Sequence, residues 1–129
     1  MSDNKLFAEI ASQLQKILPV SWKKVCLYAD VSEESYEMFY YVFFDKQVDS
    51  VQCYQLPQKF NISESDIDEV FAILAELLRT RKQEGDETWK VFTFILSFDG
   101  EVDVYYDYDD HSEDSLAFKC KWKQQYLIP

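Results

Sequence analysis

The amino-acid sequence predicts an α+β domain with two layers, in which helices pack on one face of a mainly antiparallel five-stranded sheet. The predicted order of elements is α-β-β-β-α-β-β-α. Two observations support this prediction. Strands and helices do not alternate along the chain, so a doubly wound parallel sheet has no strand–helix–strand units from which to form. In addition, the segment 89–110, WKVFTFILSFDGEVDVYYDYDD, alternates with a period of two around an Asp-Gly dipeptide, which is typical of a long β-hairpin.

The length and composition indicate one domain that spans residues 1–129. Of the 129 residues, 47% are hydrophobic and 17% are aromatic, which is enough for one real core. With 2 glycines and 3 prolines, the chain has no room for a glycine-rich phosphate loop or a flexible linker. The net charge of −11 repels nucleic acids and anionic membranes, and it favours a cationic partner as well as solubility.

Several features predict a cytoplasmic protein. The cysteines are Cys26, Cys53 and Cys120, an odd number without a CxxC motif, and we expect buried, reduced thiols. The first residues, MSDNKLF, lack the basic start and hydrophobic segment of a signal peptide. No apolar run approaches the length of a membrane span.

The first half of the chain predicts one helix and three strands. An amphipathic helix covers 5–18, and Pro19 ends it because the residue before a proline avoids the helical region. Strands are expected at 22–29, 36–45 and 48–54. The strand 36–45 is apolar on both faces, which predicts either a central strand with both faces partly covered or an outer face that forms an interaction surface.

The second helix has the strongest signals. Ser63 is a candidate N-cap with Asp66 in a capping-box position, and Gly85 stands where a left-handed C-terminal cap is wanted. Acidic residues fill the first turns and basic residues the last, which matches the helix dipole. The predicted buried stripe consists of Ile67, Val70, Phe71, Leu74, Leu77 and Leu78.

The register of the hairpin follows from its hydrophobic pattern. A two-residue loop would place carboxylates on the phenylalanine face. A three-residue loop with a left-handed Gly100 and a bulge instead places Phe94 opposite Val104. It also places Leu96 opposite Val102, so we predict this register. The other face of the second strand then presents Asp103, Tyr105 and Asp107.

The tail admits two interpretations. Leu116, Phe118, Cys120 and Trp122 alternate as in a strand. A helix is favoured over 112–125 because Ser112 can cap it, acids follow the cap and lysines occupy the last turn.

Catalytic and metal-binding patterns are weak. His111 is the only histidine, and its neighbours are acids on a predicted loop, so we expect a solvated side chain. The acidic run fails the EF-hand pattern, because its sixth position is Ser112 and its twelfth is Phe118. Asp103 and Asp107 share a strand face without a cleft-forming scaffold of the kind that glycosidases use. No enzyme and no cofactor are predicted.

The acidic, tyrosine-rich end of the hairpin is the candidate binding surface. Residues 99–114 contain eight acids and no lysine or arginine. Tyrosine and tryptophan are common in interface hot spots, and acids complement a basic partner. The alternative is that the tyrosines pack against the helices and the acids form a solvated rim. The predicted partner-binding residues are Asp103, Tyr105, Asp107, Asp109, Asp110 and, as an aromatic anchor, Trp122.

Four segments in order carry a resemblance to a known family: IASQLQKILPVSWKKVCLYADV, LPQKFNISESDIDEVFAILAELL, WKVFTFILSFDGEVDVYYDYDD and KCKWKQQYLIP. The first segment is a helix followed by a strand that begins with tryptophan, and the second is a proline and an asparagine that lead into the second helix. The third is a hairpin that ends in D-Y-x-D, and the fourth is a closing segment of basic and aromatic residues. With them the chain resembles the YezG/EsaG-like family of bacterial immunity proteins, antitoxins to nuclease toxins exported by type VII secretion. Two departures from the family pattern are a short segment after DYDD and Gln125-Tyr126 where the family often has a glycine. If this region contacts the toxin, they imply either a different partner specificity or a paralogue that has lost its cognate toxin.

The resemblance implies a cytoplasmic, non-catalytic antitoxin that binds a basic nuclease domain, without contact to nucleic acid or membrane. We expect a monomer or weak homo-oligomer when free. A competing hypothesis is a regulatory domain that binds a small ligand or divalent cation at the acidic corner 109–114. A third is a homo-oligomeric module that uses the apolar strand 36–45.

Overall fold

The computed structural model describes residues 3–44, 50–111 and 113–127. Its elements are, in chain order, α1 (Asp3–Gln15), β1 (Trp22–Val31), β2 (Tyr36–Phe44), β3 (Val51–Gln52), a 3₁₀ turn (Cys53–Gln55), α2 (Leu56–Lys59), α3 (Glu64–Gly85), β4 (Val91–Ser97), β5 (Val102–Asp107) and α4 (Ser115–Tyr126). The strands form one antiparallel sheet in the order β3-β2-β1-β4-β5. The predicted α+β class and five-stranded antiparallel sheet are confirmed.

The central strand is β1, which pairs with β2 on one side and β4 on the other. Leu27 faces Tyr40 in β2 and Phe94 in β4, and all three side chains are fully buried. Side chains on neighbouring strands pack directly across such pairs. The core therefore follows the middle of the sheet, and β5 is left at one edge.

One face of the sheet is covered by α1 and α3. Phe7 of α1 packs on Phe94, with ring centroids 6.0 Å apart, and Phe71 of α3 packs edge-on against Tyr40 at 5.8 Å. The hydroxyl of Tyr40 donates a 2.8 Å hydrogen bond to the carbonyl of Ile17, within the core. The apolar stripe predicted for α3 is buried except for Leu77, which is partly exposed.

The opposite face is covered by α4, so the helices lie on both faces rather than on one. Trp122 of α4 contacts Tyr28 of β1 and Phe39 of β2, with centroids 5.3 and 5.6 Å away. Successive residues of a strand point to opposite faces, and Tyr28 and Phe39 alternate with the residues under α1 and α3. The apolar character of both faces of β2 thus reflects cover from two sides. Its outer face is not a free surface for oligomerisation.

The helix ends differ from the prediction in detail. Ser63 is the N-cap of α3, but its hydroxyl makes no capping hydrogen bond and lies 2.8 Å from that of Ser65. The left-handed residue after the helix is Asp86, with φ of 50°, and Gly85 is still helical. The tail forms the favoured helix, α4. Its N-cap is Asp114, and the predicted cap Ser112 lies outside the described residues.

The third strand is shorter than predicted. Of the predicted strand 48–54, Val51 and Gln52 pair with β2, and Cys53 begins the 3₁₀ turn; positions 48 and 49 lie outside the described residues. The change follows from Pro57, which occupies the first turn of α2, where its fixed φ favours helix. The chain therefore turns into α2 before a long strand can form.

The thiols are divided between core and surface. Burial raises the pKa of Cys26 to about 12 and also raises that of Cys53, as expected for thiols away from water. Cys120 on α4 is exposed, contrary to the expectation of three buried thiols. Among the described residues, no helix has the length and apolar character required to cross a membrane.

Candidate functional site

The hairpin has the predicted register. Phe94 pairs with Val104, and Leu96 pairs with Val102. The loop between Ser97 and Glu101 has three residues, and Gly100 adopts a φ of 92°, a conformation that favours glycine. Side-chain alternation then places Asp103, Tyr105 and Asp107 on the same face of β5, the face that α4 covers elsewhere in the sheet.

The acids of the segment 99–114 are largely accessible. Asp103, Asp109 and Asp110 are exposed, as is every other acid of this segment except Asp107, which is half-buried. We call this segment the acidic segment. The acids of the acidic segment are therefore accessible to a partner, as the predicted binding surface requires.

The tyrosines of the acidic segment divide between the two faces of the sheet. Tyr105 is 45% exposed on the α4 side, and Tyr108 after the strand is 60% exposed. Tyr106 is on the other face, where its ring lies 5.9 Å from that of Trp89 and 5.5 Å from that of Phe92. Partial burial raises the pKa of Tyr106. Tyr106 therefore packs on the core but is still 38% exposed, on the sheet face opposite Tyr105. Tyr105 and Tyr108 are the more exposed tyrosines of the segment.

His111 organises the turn between β5 and α4. Its Nε2 lies 3.1 Å from Oδ1 of Asp107, and its Nδ1 lies 3.5 Å from Oδ1 of Asp114. Its ring stacks on Phe118 with the centroids 3.7 Å apart and the planes at 12°. The backbone N–H of Asp109 donates a 2.9 Å hydrogen bond to the same Oδ1 of Asp107. The expectation of a freely solvated histidine is wrong, because both its edges and its face are in contact.

Trp122 belongs to the core and not to the surface. Its side chain is 3% exposed, and its indole N–H donates a 2.9 Å hydrogen bond to the hydroxyl of Thr93 in β4. Tyr40 and Tyr41 of β2 are also buried. Trp122 thus fixes α4 on the sheet, and the structure gives no exposed anchor at this position.

A cleft of about 440 Å³ lies between β5 and α4, and we call it the β5–α4 cleft. It brings together three of the predicted residues, Tyr105, Asp107 and Trp122, and its lining excludes the other three. The α4 wall includes Phe118 and Tyr126, which the sequence prediction missed. Phe118 and Tyr126 each lie four residues from Trp122, and residues at this spacing share one side of a helix. This spacing is the sequence feature that could have predicted them.

Lysines on α4 adjoin the acidic segment. Lys119 forms a 2.7 Å ion pair with Glu37 of β2, and the ammonium of Lys123 lies 5.8 Å from the ring centroid of Tyr41. Lys121 is exposed at the rim of the β5–α4 cleft. The face that carries Asp103, Tyr105 and Asp107 therefore has an acidic side and a basic side.

The turn also contains a group of side chains suited to a metal ion. Ligand atoms of Asp107, Asp109 and His111 all lie within 4.8 Å of one another. Two carboxylates and an imidazole are ligand types that Mn²⁺ and Zn²⁺ accept. Asp110, which the prediction also placed here, does not belong to this group.

Comparisons with known proteins agree with the resemblance seen in the sequence. The family model described as immunity protein YezG-like matches residues 4–128. The proteins named immunity protein YezG from Bacillus spizizenii and Bacillus subtilis are each 28% identical over 109 residues, which cover 81% of this chain and 68% and 72% of those proteins. The type VII secretion system protein EsaG of Staphylococcus aureus is 28% identical over 111 residues, covering 83% of this chain and 68% of EsaG.

Proposed function

The chain belongs to the YezG-like immunity protein family, and from this premise we propose that it is a cytoplasmic antitoxin that binds and neutralises a nuclease toxin. It acts as a non-catalytic inhibitor, and the acidic segment forms its binding surface. The observation that carries the proposal is the exposure of the acids of the acidic segment, with the exposed tyrosines Tyr105 and Tyr108 beside them.

Charge supports a nuclease as the partner. A nuclease needs a cationic surface to bind nucleic acid, and this chain has a net charge of −11. Complementary charges accelerate association and disfavour partners of like charge. Tyr105 and Tyr108 add exposed aromatic area beside the acids, which slows dissociation once they are buried.

Co-expression with the toxin encoded beside this chain tests the proposal. Growth and intact cellular DNA are the expected results, and continued DNA damage would refute neutralisation of that toxin. A nuclease assay with the purified pair would then show whether the block is stoichiometric.

A charge-reversal pair tests the binding surface separately. We expect Asp103→Lys with Asp109→Lys to lower the association rate about tenfold at low salt, since both carboxylates are exposed. The matched control is Asp68→Lys with Glu69→Lys, which changes the net charge equally on the exposed side of α3. Equal rates for the two double variants would place the binding surface elsewhere.

A second candidate function, cation binding, is favoured by the grouping of Asp107, Asp109 and His111. Calorimetric titration with MnCl₂ and with CaCl₂ separates it from the antitoxin role. Saturable binding with a thermal shift, lost in His111→Gln, would support a cation-binding regulatory domain. Absence of both heat and a thermal shift at millimolar metal would exclude it.

A further inference from the structure

We propose that the β5–α4 cleft binds the side chain of an arginine presented by the partner. The partner's nature rests on the proposed function, whereas the chemistry of the cleft does not. The cleft combines planar aromatic walls with one oriented carboxylate, and an arginine side chain complements both.

The aromatic walls suit a planar cation. Tyr105 from the strand and Tyr126 from the helix pack directly on each other, with centroids 5.3 Å apart and planes at 43°. They form one continuous aromatic surface of the cleft, and Phe118 lies farther along the same helix flank. A guanidinium is flat, weakly hydrated and attracted to aromatic faces, so it stacks where a compact ammonium is less well matched.

Asp107 supplies the acidic partner. Its Oδ1 is held by the N–H of Asp109 at 2.9 Å and by the His111 ring at 3.1 Å, which fixes the orientation of the carboxylate. Across residues 3–44, 50–111 and 113–127, no hydrogen bond to its Oδ2 is found. The side chain is 35% exposed. A preoriented carboxylate with a vacant oxygen accepts a charge-assisted hydrogen bond at low entropic cost.

Lys121 makes the cleft selective. Its side chain is exposed and lines the cleft, and within the described parts of the chain it forms no ion pair with Asp107. A cation that enters the cleft must therefore approach another positive charge. Stacking on Tyr105 and Tyr126 offsets this repulsion for a guanidinium, and we expect Lys121→Gln to tighten binding.

A titration of the purified chain with N-acetylarginine amide tests the proposal. The reporter is the indole N–H resonance of Trp122 in a two-dimensional ¹H–¹⁵N spectrum, because this group lies in the cleft wall. We expect saturable shifts with N-acetylarginine amide and none with N-acetylcitrulline amide, the uncharged isostere. N-acetyllysine amide should bind at least threefold more weakly than the arginine compound.

Matched variants locate the site. Asp107→Asn should raise the Kd at least fivefold, whereas Asp103→Asn, which removes one charge from the same strand face outside the cleft, should leave it within twofold. Should Asp107→Asn fail to fold, Tyr126→Leu removes one aromatic wall and should raise the Kd at least threefold. Equal effects of Asp103→Asn and Asp107→Asn, or equal binding of the citrulline compound, would overturn the proposal.

The arginine titration and the toxin rescue experiment can fail independently of each other. Arginine binding in the cleft without rescue from the toxin would refute neutralisation of that toxin and keep the site. Rescue from the toxin by wild type and by Asp107→Asn alike, with equal affinity for the toxin, would keep the antitoxin role and refute the binding of a toxin arginine in the cleft.

Discussion

Replacing Trp122 with phenylalanine distinguishes a core residue from a surface anchor. In the structure the indole is buried, contacts Tyr28 and Phe39, and donates a hydrogen bond to Thr93. If Trp122 were an exposed anchor, the substitution would weaken partner binding and leave folding unchanged. Because it is buried, we expect Trp122→Phe to lower the free energy of unfolding.

The expected loss is about 2 kcal/mol. Removal of the indole N–H costs about 1 kcal/mol for the hydrogen bond to Thr93. The smaller ring leaves a void beside Tyr28 and Phe39, which adds about 1 kcal/mol. Domains of this size have total stabilities of roughly 5 to 15 kcal/mol, so the loss is easily measured.

Urea unfolding followed by far-ultraviolet circular dichroism provides the measurement. With a slope of about 1 to 3 kcal/mol per molar urea, the midpoint should fall by about 1 M. Thr93→Val completes a double-mutant cycle, and the double variant should be about 1 kcal/mol more stable than the sum of the single losses predicts. A loss below about 0.5 kcal/mol for Trp122→Phe would refute the core assignment, and additive losses would refute the hydrogen bond.

Three further predictions concern the core, the hairpin loop and the thiols. Tyr40→Phe, which removes the buried hydrogen bond to the carbonyl of Ile17, should cost about 1 to 2 kcal/mol in urea unfolding; unchanged stability would contradict that bond. Gly100→Ala should cost about 1 kcal/mol through its φ of 92° alone, since no atom outside residues 99–101 lies within 4 Å of the added methyl group; a thermal melt that does not move would contradict the left-handed loop. Ellman's reagent at pH 8 should label Cys120 in the native protein, while Cys26, with its pKa raised to about 12, should react only in denaturant. A second rapidly reacting thiol would contradict the burial of Cys26 and Cys53.

The hairpin could be predicted from the sequence because the relevant interactions are local. The Asp-Gly dipeptide and the alternation of Phe94 and Leu96 restrict the register to one that places the apolar side chains of both strands on the same face of the sheet. The stripe of α3 was predictable for the same reason, since its period of 3.6 residues is a local property.

The surface was harder to predict because exposure depends on how distant elements meet. Trp122 and Tyr126 look equivalent in the sequence, yet one is 3% exposed and the other is partly exposed beside Tyr105. That difference arises only when α4 is placed on the second face of the sheet. The same placement creates the β5–α4 cleft, which no single segment of the chain encodes.

The position of α4 has a consequence for the integrity of the protein in the cell. Among the described elements, α4 alone covers the sheet face that carries Tyr28, Phe39 and Tyr41. A chain cleaved by a protease before Ser115 would expose this aromatic patch, and exposed apolar patches of this kind promote aggregation. Loss of the chain from Ser115 onward would therefore expose the patch and remove the α4 wall of the β5–α4 cleft in one step.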